Sequence, residues 1–162
     1  MTEETSPALV PDSERAPDLV QSLDGVPLLA SLSAEERAAL ARQCAWRHLG
    51  ADEVITDPSD ESGNIFFLIR GRARIINHTL LGNEVRLADV QEGAYFGELS
   101  AFDHGPRTAT VLTALESVVA AMPREVFFDT ISQNPRVLGP ILENLARMVR
   151  RTNEKVIEQH LL

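Results

Sequence analysis

The chain is poor in several residue types, and each scarcity removes a class of explanation. A single cysteine, Cys44, leaves no internal disulfide to staple the fold, which fits a reducing cytoplasm. There are 15 Lys and Arg against 24 Asp and Glu, a formal net charge of −9, so a direct grip on nucleic acid is disfavoured. No apolar run approaches the length of a membrane span, and the N-terminus lacks the basic-then-apolar pattern of a secretion signal. Of the four histidines (His48, His78, His104, His160), none forms a His-x-His pair or a tight cluster with carboxylates, so no metal site is expected. Ser100 lacks the glycines of a nucleophile elbow, and no enzymatic activity is expected.

What remains is 162 residues, 44% of them apolar, enough for one compact domain and an additional long helix. Residues 1–24 carry Pro, Ser, Thr and acids without periodicity, and read as a disordered acidic leader. The body, 25–134, follows, and 135–162 reads as a separate helix. Ser33 and Glu36 form a capping box that opens a helix, with Leu40 and Cys44 as its buried stripe.

From about residue 45 to 121 the period shortens. The β-rich runs are 53–56, 65–70, 73–77, 85–90, 108–112 and 117–122, separated by Gly, Pro, Asn and Asp turns. Many short strands at close spacing predict an antiparallel β-roll, jelly-roll-like, with flanking helices. Ile65-Phe66-Phe67-Leu68-Ile69 is apolar throughout, so both of its faces are expected to be covered. Helix returns at Pro123, breaks at Asn134-Pro135 with Asn134 as a cap, and runs from about Arg136 to the end. Leu142, Leu145, Val149, Thr152, Val156 and Gln159 step by three and four along that helix. They pack on the helix's own domain or form a coiled-coil seam; the length of the helix favours a homodimer through this segment.

The segment from Gly93 to Val111 concentrates the chemistry. Gly97 opens the backbone, Glu98 supplies two acceptors for a diol, and Asp103-His104-Gly105-Pro106 turns the chain to deliver Arg107, whose planar fork suits an anion. A ligand bearing a ribose hydroxyl and a phosphate satisfies both. Taken alone, Glu98 and Arg107 are also compatible with a structural ion pair.

Phe96-Gly97-Glu98-Leu99 followed by Pro106-Arg107-Thr108-Ala109-Thr110-Val111 resembles the phosphate-binding cassette of the cyclic-nucleotide-binding domain family. Ile65 to Gly71 resembles that family's strand-then-glycine segment, and the likeness spans about residues 26–160. It implies a short cassette helix and a ligand, cAMP or cGMP, with no further cofactor. Glu98 would accept from the ribose 2′-hydroxyl, and Arg107 would pair with the cyclic phosphate. Phe96, Gly97, Leu99, Ser100, Thr108 and Ala109 would complete the pocket. Charge-assisted hydrogen bonds contribute roughly 1.5–3 kcal/mol each, so two or three with burial of a sugar and base reach micromolar affinity, about −8 kcal/mol.

Residues 145–156 resemble the dimer helix of the family's catabolite-activator branch, which implies that Thr152 and Asn153 contact the base. That match favours cAMP, whereas Thr108 leaves cGMP open. Asp52 and Ser59 stand where the family has turn glycines, which predicts altered loops around an intact pocket. No helix-turn-helix follows the final helix, so the expected output is to an unknown effector protein or a downstream domain.

Overall fold

The computed structural model describes residues 21–161. Most of the expected leader, residues 1–20, lies outside the described residues. Its last part is already in the fold: Leu23 is buried in the core cluster, so the packed domain starts before residue 25.

Among the described residues, eight strands form two antiparallel sheets. The strands are β1 (Ala45–Leu49), β2 (Val54–Thr56), β3 (Ile65–Arg70), β4 (Ala73–His78), β5 (Glu84–Val90), β6 (Tyr95–Phe96), β7 (Thr110–Thr113) and β8 (Ser117–Met122). One sheet runs β1-β8-β3-β6 and the other β2-β7-β4-β5. Helices α1 (Ala34–Gln43), α2 (Glu98–Asp103), α3 (Arg124–Gln133) and α4 (Pro135–His160) flank this roll. No helix among the described residues is long and apolar enough to cross a membrane.

The continuous apolar run of β3 has the expected cause. Successive side chains leave a strand on opposite faces. Phe66 and Leu68 enter the cluster between the sheets with Leu49, Ile55, Val111 and Val119. Ile65 and Phe67 enter a second cluster beneath the helices with Leu29, Met122, Phe127, Val137 and Ile141. β8 lies between β1 and β3 and is buried along its whole length for the same reason.

Local signals account for the helix ends. The Glu36 amide donates to Ser33 Oγ and the Ser33 amide to Glu36 Oε1, each at 3.1 Å, so both halves of the capping box form. Cys44 terminates α1 at its C-cap and is only half-buried, rather than lying on the helix's buried stripe. Asn134 occupies the N-cap position of α4 without capping it. Its amide nitrogen is committed to the Thr130 carbonyl of α3, 3.2 Å away. Two strands escaped the sequence pattern. β1 has no apolar alternation and β6 is two residues long. β7 starts at Thr110 rather than Thr108, because its ladder with β4 ends at the Ile76–Thr110 pair. Asp52 adopts φ 58°, the left-handed conformation that a glycine takes without cost and that Asp tolerates among the non-glycine residues.

Candidate functional site

The cassette is built around a glycine that no other residue replaces easily. β6 ends at Phe96, whose ring stacks on Phe66 with centroids 5.3 Å apart. Gly97 then takes φ 86° and starts α2 at Glu98. That turn lets the backbone pass directly against the Arg107 guanidinium.

Arg107 is almost wholly buried, at 6% exposure. Its Nη1 donates to the Gly97 carbonyl at 2.8 Å and its Nη2 to the Asn64 carbonyl at 2.7 Å. Nε lies 3.4 Å from Asp60 Oδ2 and makes no hydrogen bond within the protein. The guanidinium carbon sits 5.4 Å from the centre of the Phe66 ring, within cation–π range. Burial pushes the Arg107 pKa down, and the Asp60 carboxylate opposes that shift. Asp60 is itself fixed by the Thr56 hydroxyl at 2.6 Å and the Ser62 amide at 2.9 Å. Burial acts to raise its pKa, but these bonds and the Arg107 charge outweigh it, and the carboxyl is held below its ordinary range.

Glu98 is half-buried, and burial pushes its pKa up; a bond with its own backbone and the charge of Arg107 counter this only in part. It faces a cleft of about 740 Å3 between the roll and α4. Asp89, Glu92 and Tyr95 line the roll side, and Asn144, Arg147 and Arg151 line the helix side. Arg107 is not among the lining residues and lies behind the Gly97 turn.

The other residues singled out from the sequence divide as follows. Ser100 is buried in α2, and its carbonyl accepts from Arg124 Nη2 at 2.9 Å. Arg124 Nε holds the Ala101 carbonyl at 3.0 Å, so the first residue of α3 ties down the cassette helix. Leu99 is exposed, Thr108 is exposed and Ala109 is half-buried, the latter two in irregular backbone after Arg107. Thr152 and Asn153 are exposed one step beyond the cleft lining, and the Thr152 hydroxyl donates back to the Met148 carbonyl at 2.9 Å. In this single chain, Phe96, Gly97, Glu98 and Arg107 come together, while Thr152 and Asn153 stand apart from them.

Sequence reasoning missed Asp60, Asn64, Tyr95 and Asn144, and it did not place Arg147 at the cleft. Arg147 does approach Glu143, at 3.5 Å. Its position with Asn144 and Arg151 was readable from the three- and four-residue steps that continue the buried Val137–Ile141 face. Among the described residues, no group of three His, Cys, Asp or Glu side chains gathers where a metal could bind.

Residues 46–134 match the family model described as cyclic nucleotide-binding domain. The chain is 29% identical over 121 residues to a CRP-like cAMP-activated global transcriptional regulator of Mycobacterium tuberculosis, covering 75% of this chain and 54% of the regulator. It is 34% identical over 125 residues to a cAMP-dependent protein kinase regulatory subunit of Emericella nidulans, covering 77% of this chain and 28% of the subunit. The structure superimposes on the catabolite activator protein of Thermus thermophilus with a TM-score of 0.71 and 26% identity, over 80% of this chain and 61% of that one. The chain thus spans about half the length of the bacterial regulator and about a quarter of the fungal subunit. Both the cassette geometry and the match over more than half of its length lead to one assignment: this chain belongs to the cyclic nucleotide-binding domain family.

Proposed function

We propose that this chain is a regulatory receptor module that binds a cyclic nucleotide, cAMP in preference to cGMP, and reports occupancy through α4. The observation that carries the reading is the pairing of a buried guanidinium with a carboxylate at the two ends of the cassette. Arg107 is held under the Gly97 turn while Glu98 faces a nucleotide-sized cleft. The cyclic phosphate would approach Arg107, and the ribose 2′-hydroxyl would donate to Glu98. The preference for cAMP is supported by relatives named for it.

The proposed output is a shift in population. A ligand that touches both cassette and helix stabilises the arrangement in which they meet. Thr152 and Asn153 would reach the base once two α4 helices lie together, in a homodimer formed through the exposed stripe of that helix. The signal would pass to an effector protein or a further domain, in a reducing cytoplasm and without catalysis.

Titration calorimetry with cAMP and cGMP tests the reading. Saturable binding of cAMP, weakened at least about tenfold (about 1.4 kcal/mol) by Arg107→Ala, is the expected result. No heat and no thermal shift with either nucleotide would remove it.

A further inference from the structure

We propose that the groove between α1 and α3 docks a protein partner, through an arginine side chain that the partner presents among apolar residues. Neither Glu98 nor Arg107 lines this groove, so the inference stands apart from the cyclic-nucleotide reading.

Matched spacing on two helices builds the groove. Glu36, Ala39, Leu40 and Gln43 stand at i, i+3, i+4 and i+7 on α1, one face of a helix. Val126, Asp129, Thr130 and Gln133 repeat that spacing on α3. The two stripes enclose about 250 Å3, room for a large side chain. Leu32, Leu40 and Val126 make the lining apolar, and each helix adds one carboxylate, Glu36 from α1 and Asp129 from α3.

The hydrogen bonds leave this groove rich in acceptors, because its donors are turned back into the helices. The Thr130 hydroxyl donates to the Val126 carbonyl at 2.8 Å, Asn134 Nδ2 to the Thr130 carbonyl at 3.2 Å and Gln43 Nε2 to the Ala39 carbonyl at 3.4 Å. The amide oxygens of Asn134 and Gln43 remain as acceptors. Glu36 Oε1 accepts the Ser33 amide, which leaves Oε2 available. Asp129 has no ion-pair partner among the described residues. No lining residue is basic. Arg37, next to Glu36, is held by Asp24 and by the Leu32 carbonyl.

Acceptors on both walls of an apolar slot select a cation with many donors and an apolar stem. Arginine has five donors in a planar fork, and its methylenes can pack on Leu40 and Val126 while the fork meets both carboxylates. The chain's own segments fit poorly. Residues 1–20 hold Glu3, Glu4, Asp12, Glu14 and Asp18 against Arg15. The bases of α4 in a second copy are interleaved with Glu143, Glu154 and Glu158. Either segment brings carboxylates up to carboxylates. A separate basic partner is the occupant that charge complementarity selects.

The test titrates the isotope-labelled full chain with N-acetyl-arginine methylamide and with its citrulline counterpart, which keeps the shape and loses the charge. Amide chemical shifts report where each probe binds. The arginine probe should move the amides of α1 and α3 saturably, and the citrulline probe should bind at least about tenfold more weakly. Glu36→Gln combined with Asp129→Asn should erase that difference, while Gln at 36 keeps the capping box and the fold. Asp129→Lys is the second variant, and it should abolish binding of the arginine probe. Equal binding of the two probes, shifts confined to other elements, or an undiminished preference in both variants overturns the assignment. Groove amides that move in Arg15→Gln without any probe would make the leader the occupant, and groove amides that move on dilution of the chain would make it a second copy. Either result overturns the separate partner.

Discussion

The Gly97 carbonyl accepts the Arg107 Nη1 proton at 2.8 Å, and a Cβ at position 97 would lie only 2.6 Å from that nitrogen. It would also come within 3.1 Å of the Asn64 carbonyl oxygen that holds the other Arg107 nitrogen. Gly97→Ala therefore strains a left-handed backbone and displaces the guanidinium at once. A stability loss of about 1–3 kcal/mol is expected, together with at least tenfold weaker cAMP binding (about 1.4 kcal/mol). Melting curves and calorimetry on the same preparation check both. A variant with wild-type affinity would mean that Arg107 takes no part in binding.

Glu98 links affinity to pH. Burial puts its folded pKa above the ordinary 4.5. The ionised form is the better acceptor for a ribose hydroxyl, so cAMP affinity should fall as pH drops through that raised value. Glu98→Gln should bind more weakly and lose this dependence. The sign for stability is opposite. A carboxyl with a raised folded pKa contributes stability that is fully present below its unfolded pKa and is lost as pH rises through the folded one. At neutral pH Glu98→Gln should therefore melt higher than wild type while binding less. Equal pH profiles for the two proteins would show that Glu98 does not contact the ligand.

Asp60 behaves the other way. Its carboxyl is held below the usual range despite its burial, by Thr56, Ser62 and Arg107. A depressed folded pKa contributes stability above the unfolded value, about 3.9, that is lost as pH falls through the folded value. Asp60→Asn leaves Arg107 buried without its counter-charge. A loss of about 1–3 kcal/mol at neutral pH is expected, narrowing below about pH 3.9. Denaturant melts across that range would show the gap closing, and a constant gap would separate Asp60 from the stability of Arg107.

These partners explain what the sequence could and could not convey. β3 was legible because an unbroken apolar run has few ways to bury both faces, and α1 because Ser33 and Glu36 sit at the spacing of a capping box. The cassette was legible because its residues are contiguous. Asp60 and Asn64 were not, because they reach Arg107 across more than 40 residues of chain, and neither has a local pattern of its own. β1 was hidden by its pairing: Trp46, Arg47 and His48 sit on an edge strand, where register with Val118–Ala120 rather than hydrophobic alternation defines the strand. Asn134 has the residue type of a cap and precedes a proline, but its side chain accepts no amide of α4 and instead donates from Nδ2 back to the Thr130 carbonyl of α3.

Cys44 offers a check on packing that needs no ligand. Burial pushes its thiol up to about 12, so almost none is thiolate at neutral pH, and thiolate is the reactive form. Native protein should resist alkylation, and the thiol should react promptly once denaturant unfolds the chain. Rapid labelling of the native protein would indicate that the α1–β1 junction opens.

The α4 stripe carries the last prediction. Val137 and Ile141 are fully buried, and Leu145 packs on the same cluster, so the first turns of the helix belong to the domain. Leu142, Val149 and Val156 do not. They are 55%, 60% and 47% exposed, and they recur every seven residues on one side of the helix. A heptad of exposed apolar residues suits a second copy of the helix, because a sevenfold repeat keeps one seam in register along a pair. Wild type should be a dimer by light scattering, and Val149→Asp with Val156→Asp should give a monomer. Both positions are solvent-exposed, so the melting of the roll in the monomer should change little beyond the loss of its dimer concentration dependence. If wild type stays monomeric at high concentration with cAMP present, the dimer has no support, and Thr152 and Asn153 lose their route to the base.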